Sequence, residues 1–87
     1  MKDFIATDRF EKSFHELPAY IREKFYEKLS FLLTNIRHPS LHAKKIQGYK
    51  DIWEARVDYQ HRFTFCINES RIILRVIGNH DEVLNNP

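Results

Sequence analysis

Residues 51–77 read DIWEARVDYQHRFTFCINESRIILRVI, and their pattern is the strongest indication of the fold. Two short turn-like segments, 58–60 and 68–70, divide it into runs rich in β-branched and aromatic residues, which are typical of strands. The runs are Ile52–Val57, Arg62–Ile67 and Ile72–Ile77. Because such short connections join antiparallel neighbours, the sequence predicts an antiparallel meander here.

The residues before this meander predict helices. Asp8, followed by Glu11, fits a capping box with Asp8 as the N-cap, and the helix that follows should end before Pro18. A second apolar stripe over residues 21–36 is predicted to be core. Phe4–Ala6 is a short apolar run and is predicted to be an edge strand. The predicted fold class is therefore α+β, in the order β-α-α-β-β-β, with an N-terminal helical hairpin packed on one face of a twisted antiparallel sheet.

The bulk composition narrows the class of protein. The chain has 87 residues, which predicts a single domain over residues 1–87. Hydrophobic residues make up 43% and charged residues 30%, which argues against disorder. No run of about 18 apolar residues predicts a membrane span. The first residues lack the apolar core of a signal peptide, so a cytoplasmic location is expected. Cys66 is the sole cysteine, which rules out an internal disulfide.

Positive charge is concentrated in the middle of the chain. The formal net charge is only +2, but residues 37–62 contain six Lys or Arg against three Asp or Glu, a net of +3. The flanking segments sum to 0 and −1 by the same count, with six against six in residues 1–36 and two against three in residues 63–87. Such a patch suits a polyanionic partner and is equally compatible with an ordinary solvated face.

Strand alternation places two arginines together. In the first two strands of the meander apolar residues alternate with polar ones, so both apolar sets should face the hairpin. This register puts Ala55 opposite Phe63 and Arg56 opposite Arg62. Like charges in that position cost on the order of a few tenths of a kcal/mol. Either an anionic ligand or a nearby carboxylate such as Glu54 would offset the cost, and the sequence leaves both explanations open.

The third strand is predicted to add residues to both the core face and the helix-free face of the sheet. Arg75 should lie opposite Thr64 on the helix-free face, with Ile73 and Ile77 beside it. The residues predicted to extend the core face are Ile72, Leu74 and Val76.

The segment after the third strand adds a histidine. Gly78 is predicted to allow a bend, after which His80 could hook back along the arginine face. An imidazole beside guanidinium groups should prefer the neutral form, which can act as a general base. A capping histidine paired with Asp81 is the competing explanation.

Four segments, in this order, resemble the RelE/ParE toxin family: Lys44–Gly48 (KKIQG), Asp51–Val57 (DIWEARV), His61–Phe65 (HRFTF) and Ile77–Val83 (IGNHDEV). The resemblance covers nearly the whole chain. It implies a helical hairpin on a twisted sheet and a toxin whose gene partner is an antitoxin. Ribonuclease members of the family cleave messenger RNA, usually in the ribosomal A site.

The resemblance also implies roles for particular residues. By motif position, the catalytic set would be Arg56, Arg62 and His80, and residues expected to bind RNA are Lys44, Lys45, Lys50 and Arg75. Leu84, a possible contact of the C-terminal segment, stands where many active members have an aromatic residue, and Glu54 replaces a lysine of some members. Leucine can neither stack on a base nor take part in proton transfer, as an aromatic residue such as tyrosine can, and glutamate lacks the positive charge of lysine.

The function expected from these observations is a metal-independent, ribosome-associated mRNA endoribonuclease that inhibits translation. The partners implied are a cognate antitoxin, mRNA and the ribosomal A site, with no cofactor, metal or membrane. The histidines show no recognised metal-ligand spacing. Two alternatives from other classes remain. One is a ParE-like inhibitor of DNA gyrase, and the other is a catalytically weakened module that mainly binds an antitoxin, which Leu84 would favour.

Overall fold

The computed structural model describes residues 2–87. Its strands are β1 (Asp3–Ala6), β2 (Lys44–Lys45), β3 (Trp53–Arg56), β4 (His61–Asn68) and β5 (Arg71–Asn79). Its helices are α1 (Asp8–His15), α2 (Ala19–Thr34) and α3 (His80–Asn85), with a 3-10 turn at Pro39–Leu41. Within the described residues, no helix combines the length and the apolar character needed to cross a membrane.

The five strands form one mixed sheet in the order β1-β5-β4-β3-β2. The predicted α+β class is confirmed, as are the edge strand at Phe4–Ala6 and the antiparallel meander. The sheet is not wholly antiparallel, because β1 pairs with β5 in parallel. The two-residue strand β2 and the C-terminal helix α3 were not predicted, since both are too short to carry a periodic pattern.

The helical hairpin begins one residue earlier than predicted. Thr7 is the N-cap of α1, and its Oγ1 accepts a hydrogen bond from the backbone N–H of Phe10 at 3.1 Å. The prediction that Asp8 caps the helix was therefore wrong. Asp8 is the first helical residue, where a carboxylate suits the positive end of the helix dipole. Helix α1 ends at His15, before Pro18, as predicted.

The main core lies between this hairpin and one face of the sheet. Phe25 of α2 packs edge-on against Phe63 of β4, with ring centroids 5.1 Å apart. Phe10 of α1 contacts the same Phe25 ring at 5.4 Å. Phe65 and Leu74 complete the buried layer from β4 and β5. The predicted apolar faces of the first two meander strands thus form the core.

The predicted register between β3 and β4 is confirmed. Ala55 lies opposite Phe63, and Arg56 lies directly opposite Arg62. Register is strongly specified here because a slip of one residue would turn the buried phenylalanine toward the other face.

The register of β5 departs from the prediction at a β-bulge. Thr64 lies opposite Val76 and Phe65 opposite Leu74, so Arg75 is the extra residue on β5. The predicted pairing of Arg75 with Thr64 was therefore wrong. The extra residue also exchanges the faces of its successors: Ile77 joins the core cluster, and Val76 lies on the other face. Alternation alone cannot reveal one inserted residue.

The face predicted to be free of helices is partly covered by α3. Strand β5 continues through Gly78 to Asn79, so the chain turns slightly later than predicted, where α3 begins at His80. A Cβ at Gly78 would lie 3.6 Å from Cγ2 of buried Val83, which shows how closely α3 approaches the sheet. The carbonyl oxygen of Pro87 accepts hydrogen bonds from Thr64 Oγ1 (3.3 Å) and Arg75 Nε (3.0 Å). The C-terminal segment is thereby fixed across this face.

Candidate functional site

A cleft of about 380 Å³ lies on the α3 side of the sheet. Strands β2 and β3, the beginning of β4 and the first residue of α3 contribute to it. Its lining residues are His42, Ala43, Lys44, Glu54, Arg56, Arg62 and His80. The three residues predicted to be catalytic are therefore brought together in one cleft. Its lining has one carboxylate and five basic or imidazole side chains.

Arg62 is held firmly by the turn that precedes it. Its side chain is buried, and Nη1 donates to the carbonyl oxygens of Asp58 (2.8 Å), Tyr59 (3.1 Å) and His61 (3.1 Å). All of its side-chain hydrogen bonds within residues 2–87 come from this one nitrogen, which leaves Nε and Nη2 available to a ligand. The sequence motif gave no indication of this attachment to the turn.

The electrostatics of Arg62 follow from its position. Burial lowers the pKa of its guanidinium, and the positive charge of Arg56 lowers the pKa further. The nearby Glu54, Asp58 and Tyr59 act in the opposite direction. Because the ordinary pKa of arginine is so high, the group stays charged at neutral pH. Glu54 therefore offsets part of the repulsion between Arg56 and Arg62, which is the carboxylate explanation that the sequence left open.

Arg56 differs from its cross-strand partner in its surroundings. It is exposed and makes no ion pair within residues 2–87. Glu54, two residues earlier on β3, lies opposite Lys44 on one side and Thr64 on the other. Arg56 is therefore a free guanidinium beside a fixed one, an arrangement suited to gripping a phosphate.

His80 is the first residue of α3, and two hydrogen bonds fix its backbone surroundings. Its N–H donates to the carbonyl oxygen of Gln60 (2.9 Å), and Asn79, the N-cap, accepts from the N–H of Asp81 (3.1 Å). The imidazole Nδ1 lies 3.1 Å from Oδ1 of Asp81. His80 is therefore paired with Asp81 and also lines the cleft with the two arginines, but it does not cap the helix, because Asn79 is the N-cap.

The cations predicted to bind RNA are distributed over several surfaces. Lys44 lines the cleft, whereas Lys45 lies on the other face, 3.8 Å from Asp51 and over the Trp53 ring at 5.8 Å. Lys50 is exposed in the turn before β3 and outside the cleft lining. The fourth cation, Arg75, donates to the carbonyl oxygen of Pro87. Leu84, predicted as a possible contact of the C-terminal segment, is half-buried in α3 and outside the cleft lining.

Two features of the site were not identified as functional from the sequence. His42 lines the cleft, although no motif in the sequence assigned it a role. A second cleft of about 370 Å³ adjoins the first and shares Arg62 and His80 with it. Its other lining residues are Tyr59, Gln60, Asn79 and Asp81. The exposed aromatic Tyr59 in a predicted turn was the available signal for this second cleft.

Metal ligands do not come together in this region. Across residues 2–87, no group of three or more His, Cys, Asp or Glu side chains is arranged to hold a metal ion.

Comparison with known proteins gives one family match and a set of similar folds. The family described as "ParE toxin of type II toxin-antitoxin system, parDE" matches residues 4–84. No curated protein sequence matches significantly.

Solved structures with this fold include a chain of the RelB–RelE antitoxin–toxin complex from Methanococcus jannaschii. It has a TM-score of 0.75 at 21% identity, over 95% of this chain and 99% of that one. The YoeB/ParE toxin from Agrobacterium tumefaciens has a TM-score of 0.77 at 15% identity, covering 90% and 98%. The intact RelBE complex from E. coli has a TM-score of 0.74 at 17% identity, covering 91% and 96%.

Proposed function

The chain belongs to the ParE toxin family of type II toxin–antitoxin systems, and from this premise we propose that it is a metal-independent endoribonuclease. Its substrate in this proposal is messenger RNA on the ribosome, so that cleavage stops translation in the cytoplasm. That the chain is a toxin of the RelE/ParE superfamily follows from the family match and the shared fold. The nuclease activity is the proposed part.

One observation carries the proposal: Arg56, Arg62 and His80 line a single cleft. A phosphodiester needs positive charge where the phosphorane develops and a base near the attacking hydroxyl. The pair Arg56 and Arg62 supplies two guanidinium groups on neighbouring strands, and His80 supplies an imidazole at the same cleft.

The proposed reaction begins with the 2′-hydroxyl of a bound nucleotide, whose oxygen attacks the adjacent phosphorus. His80 accepts the hydroxyl proton. In the neutral tautomer with the proton on Nδ1, Asp81 accepts that N–H, so Nε2 is left as the base. Arg56 and Arg62 stabilise the extra negative charge of the phosphorane, an effect of about 2.7–4 kcal/mol for each such donor.

The other cations are proposed to hold the RNA chain. Lys44 is best placed, because it lines the reactive cleft. Lys50 would contact a phosphate farther along the strand, and Arg75 would act mainly by fixing the C-terminal segment. Lys45, which was expected to bind RNA, lies on the other face beside Asp51 and Trp53 and is left out of the proposed contact. Phosphate contacts of this kind add affinity that falls as the salt concentration rises.

A cognate antitoxin is the proposed protein partner. Two of the similar structures are described as antitoxin–toxin complexes, RelB–RelE from Methanococcus jannaschii and RelBE from E. coli. We infer that this chain is likewise neutralised by a protein that covers or distorts the cleft.

The experiment that tests the nuclease proposal uses purified protein in a bacterial translation extract. Protein synthesis should stop, and primer extension should reveal new 5′ ends in the mRNA. Arg56→Ala and His80→Ala should greatly weaken both effects, whereas Lys45→Ala, on the other face of the sheet, should retain them. Full inhibition without any new RNA end would contradict the proposal.

A second candidate is inhibition of DNA gyrase. The description of the matched family names the ParE toxin, and this observation favours gyrase inhibition as the second candidate. Measuring supercoiling by gyrase alongside RNA cleavage separates the two, since the gyrase candidate predicts lost supercoiling with intact RNA. A module whose chemistry is weakened, as Leu84 suggests, would affect neither reaction and would still bind an antitoxin.

A further inference from the structure

His42 occupies an unusual backbone conformation at the edge of the reactive cleft. Its φ of 48° and ψ of 40° are left-handed, a region that non-glycine residues seldom adopt. Its neighbours fix this geometry, because Leu41 is fully buried and Lys44 enters the sheet opposite Glu54. Backbone strain that the surroundings maintain is often found at functional sites.

The proposed cleavage requires two proton transfers. One proton leaves the attacking 2′-hydroxyl, and another must reach the departing 5′-oxygen as its bond to phosphorus breaks. The arginines cannot donate that second proton, because their pKa values are too high. His80 already serves as the base, so a separate acid in the cleft would let both transfers occur in one step.

We propose that His42 is this acid, and so a second catalytic residue of the nuclease. The inference rests on the proposed function. As the bond from the 2′-oxygen to phosphorus forms, His80 takes the hydroxyl proton. As the bond from phosphorus to the 5′-oxygen breaks, the imidazolium of His42 gives its proton to that oxygen. The products are a 2′,3′-cyclic phosphate and a free 5′-hydroxyl, and no oxidant or cofactor is consumed.

The surroundings of the two histidines support this division of roles. His80 has Asp81 at Nδ1, which orients the ring as a base. His42 makes no side-chain hydrogen bond within residues 2–87 that would fix its tautomer. Both histidines line the same cleft as Arg56 and Arg62, the pair proposed to bind the reacting phosphate.

The test compares two RNAs that differ at one atom. The cut site is first mapped in ordinary mRNA, and a matching ribosome-bound RNA is then made with sulfur in place of the 5′-bridging oxygen at that bond. A thiolate leaves without needing a proton, so loss of the acid should no longer matter. His42→Gly and His42→Asn are the variants, because both residues accept the left-handed conformation.

We expect both variants to cut ordinary RNA about 10²–10⁴-fold more slowly than the wild type, and to cut the sulfur-containing RNA within about tenfold of it. His80→Ala should be slow on both RNAs, since the base is still required. His15→Ala, an exposed histidine on α1, is the control and should match the wild type.

Other outcomes overturn the assignment in distinguishable ways. Normal cutting of ordinary RNA by His42→Gly and His42→Asn would remove His42 from the reaction while leaving the nuclease proposal intact. Equal losses on both RNAs would mean that His42 only positions the substrate. Rescue of His80→Ala by sulfur would exchange the two roles. A wild type that cuts no RNA would end the proposed function and this inference together.

Discussion

The two faces of the sheet have opposite chemistry, although the same strands build both. On the hairpin side, β4 contributes Phe63 and Phe65, which pack into a continuous aromatic core. On the α3 side, the same strand contributes Arg62 and Thr64, which are also buried but hydrogen-bonded to carbonyl oxygens. Burial therefore does not separate the structural face from the candidate site. The two faces differ in whether their buried atoms need hydrogen-bond partners.

Within the polar face a second contrast separates the two arginines of the site. Arg62 is bound by the backbone of the β3–β4 turn, whereas Arg56, directly opposite, has no such attachment in the part of the chain that the structure describes. A phosphate would therefore meet one guanidinium that is already in place and another that can adjust. The predictions below test these two contrasts.

The largest effect is expected on the hairpin face. Phe63→Ala should destabilise the protein by about 3–5 kcal/mol, because the fully buried ring leaves a cavity beside Phe25. Urea denaturation followed by circular dichroism measures this free energy of unfolding. Phe4→Ala removes a ring that is 43% exposed and should cost much less. Equal losses in the two variants would contradict the assignment of the core.

The arginine pair should respond in two different ways. Arg56→Ala should slow RNA cleavage by about 10²–10³-fold with little change in stability, since it removes a charge-stabilising donor from an exposed position. Arg62→Ala should slow cleavage and also lower the free energy of unfolding by about 1.5–3 kcal/mol, because the turn loses its hydrogen-bond donor. Cleavage rates and urea midpoints for both variants measure the difference. Identical behaviour would remove the distinction.

Acid should weaken the turn that holds Arg62. Burial opposes the charge of Asp58, but hydrogen bonds from the His61 ring and from the backbone N–H groups of Gln60 and His61 outweigh it and lower its pKa. A lowered pKa in the folded state means that the stabilisation is present above the unfolded value of about 3.9 and is lost as the pH falls through the folded value.

Asp58→Asn should therefore lose stability relative to the wild type at pH 7, and the gap should narrow below about pH 4. Urea midpoints across this range measure it. Glu27→Gln, on the exposed side of α2, is the control and should follow the wild type. A gap that stays constant with pH would show that the carboxylate charge does not matter to the turn.

The smallest effect separates neighbouring lysines on opposite faces. Lys44→Ala should reduce the slope of log affinity for RNA against log salt by about 1, because one phosphate contact is lost. Lys45→Ala should leave that slope nearly unchanged, since Lys45 lies beside Asp51 and Trp53. Filter binding to a short RNA at several salt concentrations measures both. A larger change for Lys45 would place the RNA on the hairpin side.

The sequence predicted those parts of the fold that depend on alternation. Arg56 and Arg62 could be placed opposite each other because the phenylalanines around them leave one tenable register. The exchange of sheet faces between Val76 and Ile77 could not be predicted. The bulge at Arg75 leaves one residue of β5 without a partner, and the residue types of the strand give no sign of it. Bulges of this kind depend on tertiary contacts.

The candidate site was partly predictable for a similar reason. Strand periodicity indicated Arg56 and Arg62, and the segment that follows the third strand, together with the family resemblance, indicated His80. The position of His42 depends on a 3-10 turn and on its own left-handed backbone conformation, and no repeating sequence pattern predicts either of them. The attachment of Arg62 to three carbonyl oxygens depends on the shape of a turn, and the residue types alone do not specify that shape.

The parallel pairing of β1 with β5 has a consequence for the order of folding. Asp3 lies opposite Arg71, so this pairing must close a loop of nearly the whole chain, whereas β3, β4 and β5 meet across short turns. Loop-closure entropy therefore favours early assembly of the meander and late docking of β1. Native-state hydrogen exchange should show the amide of Ile5 opening at a lower free energy than that of Phe65. The reverse order would mean that the chain first nucleates by joining its distant ends.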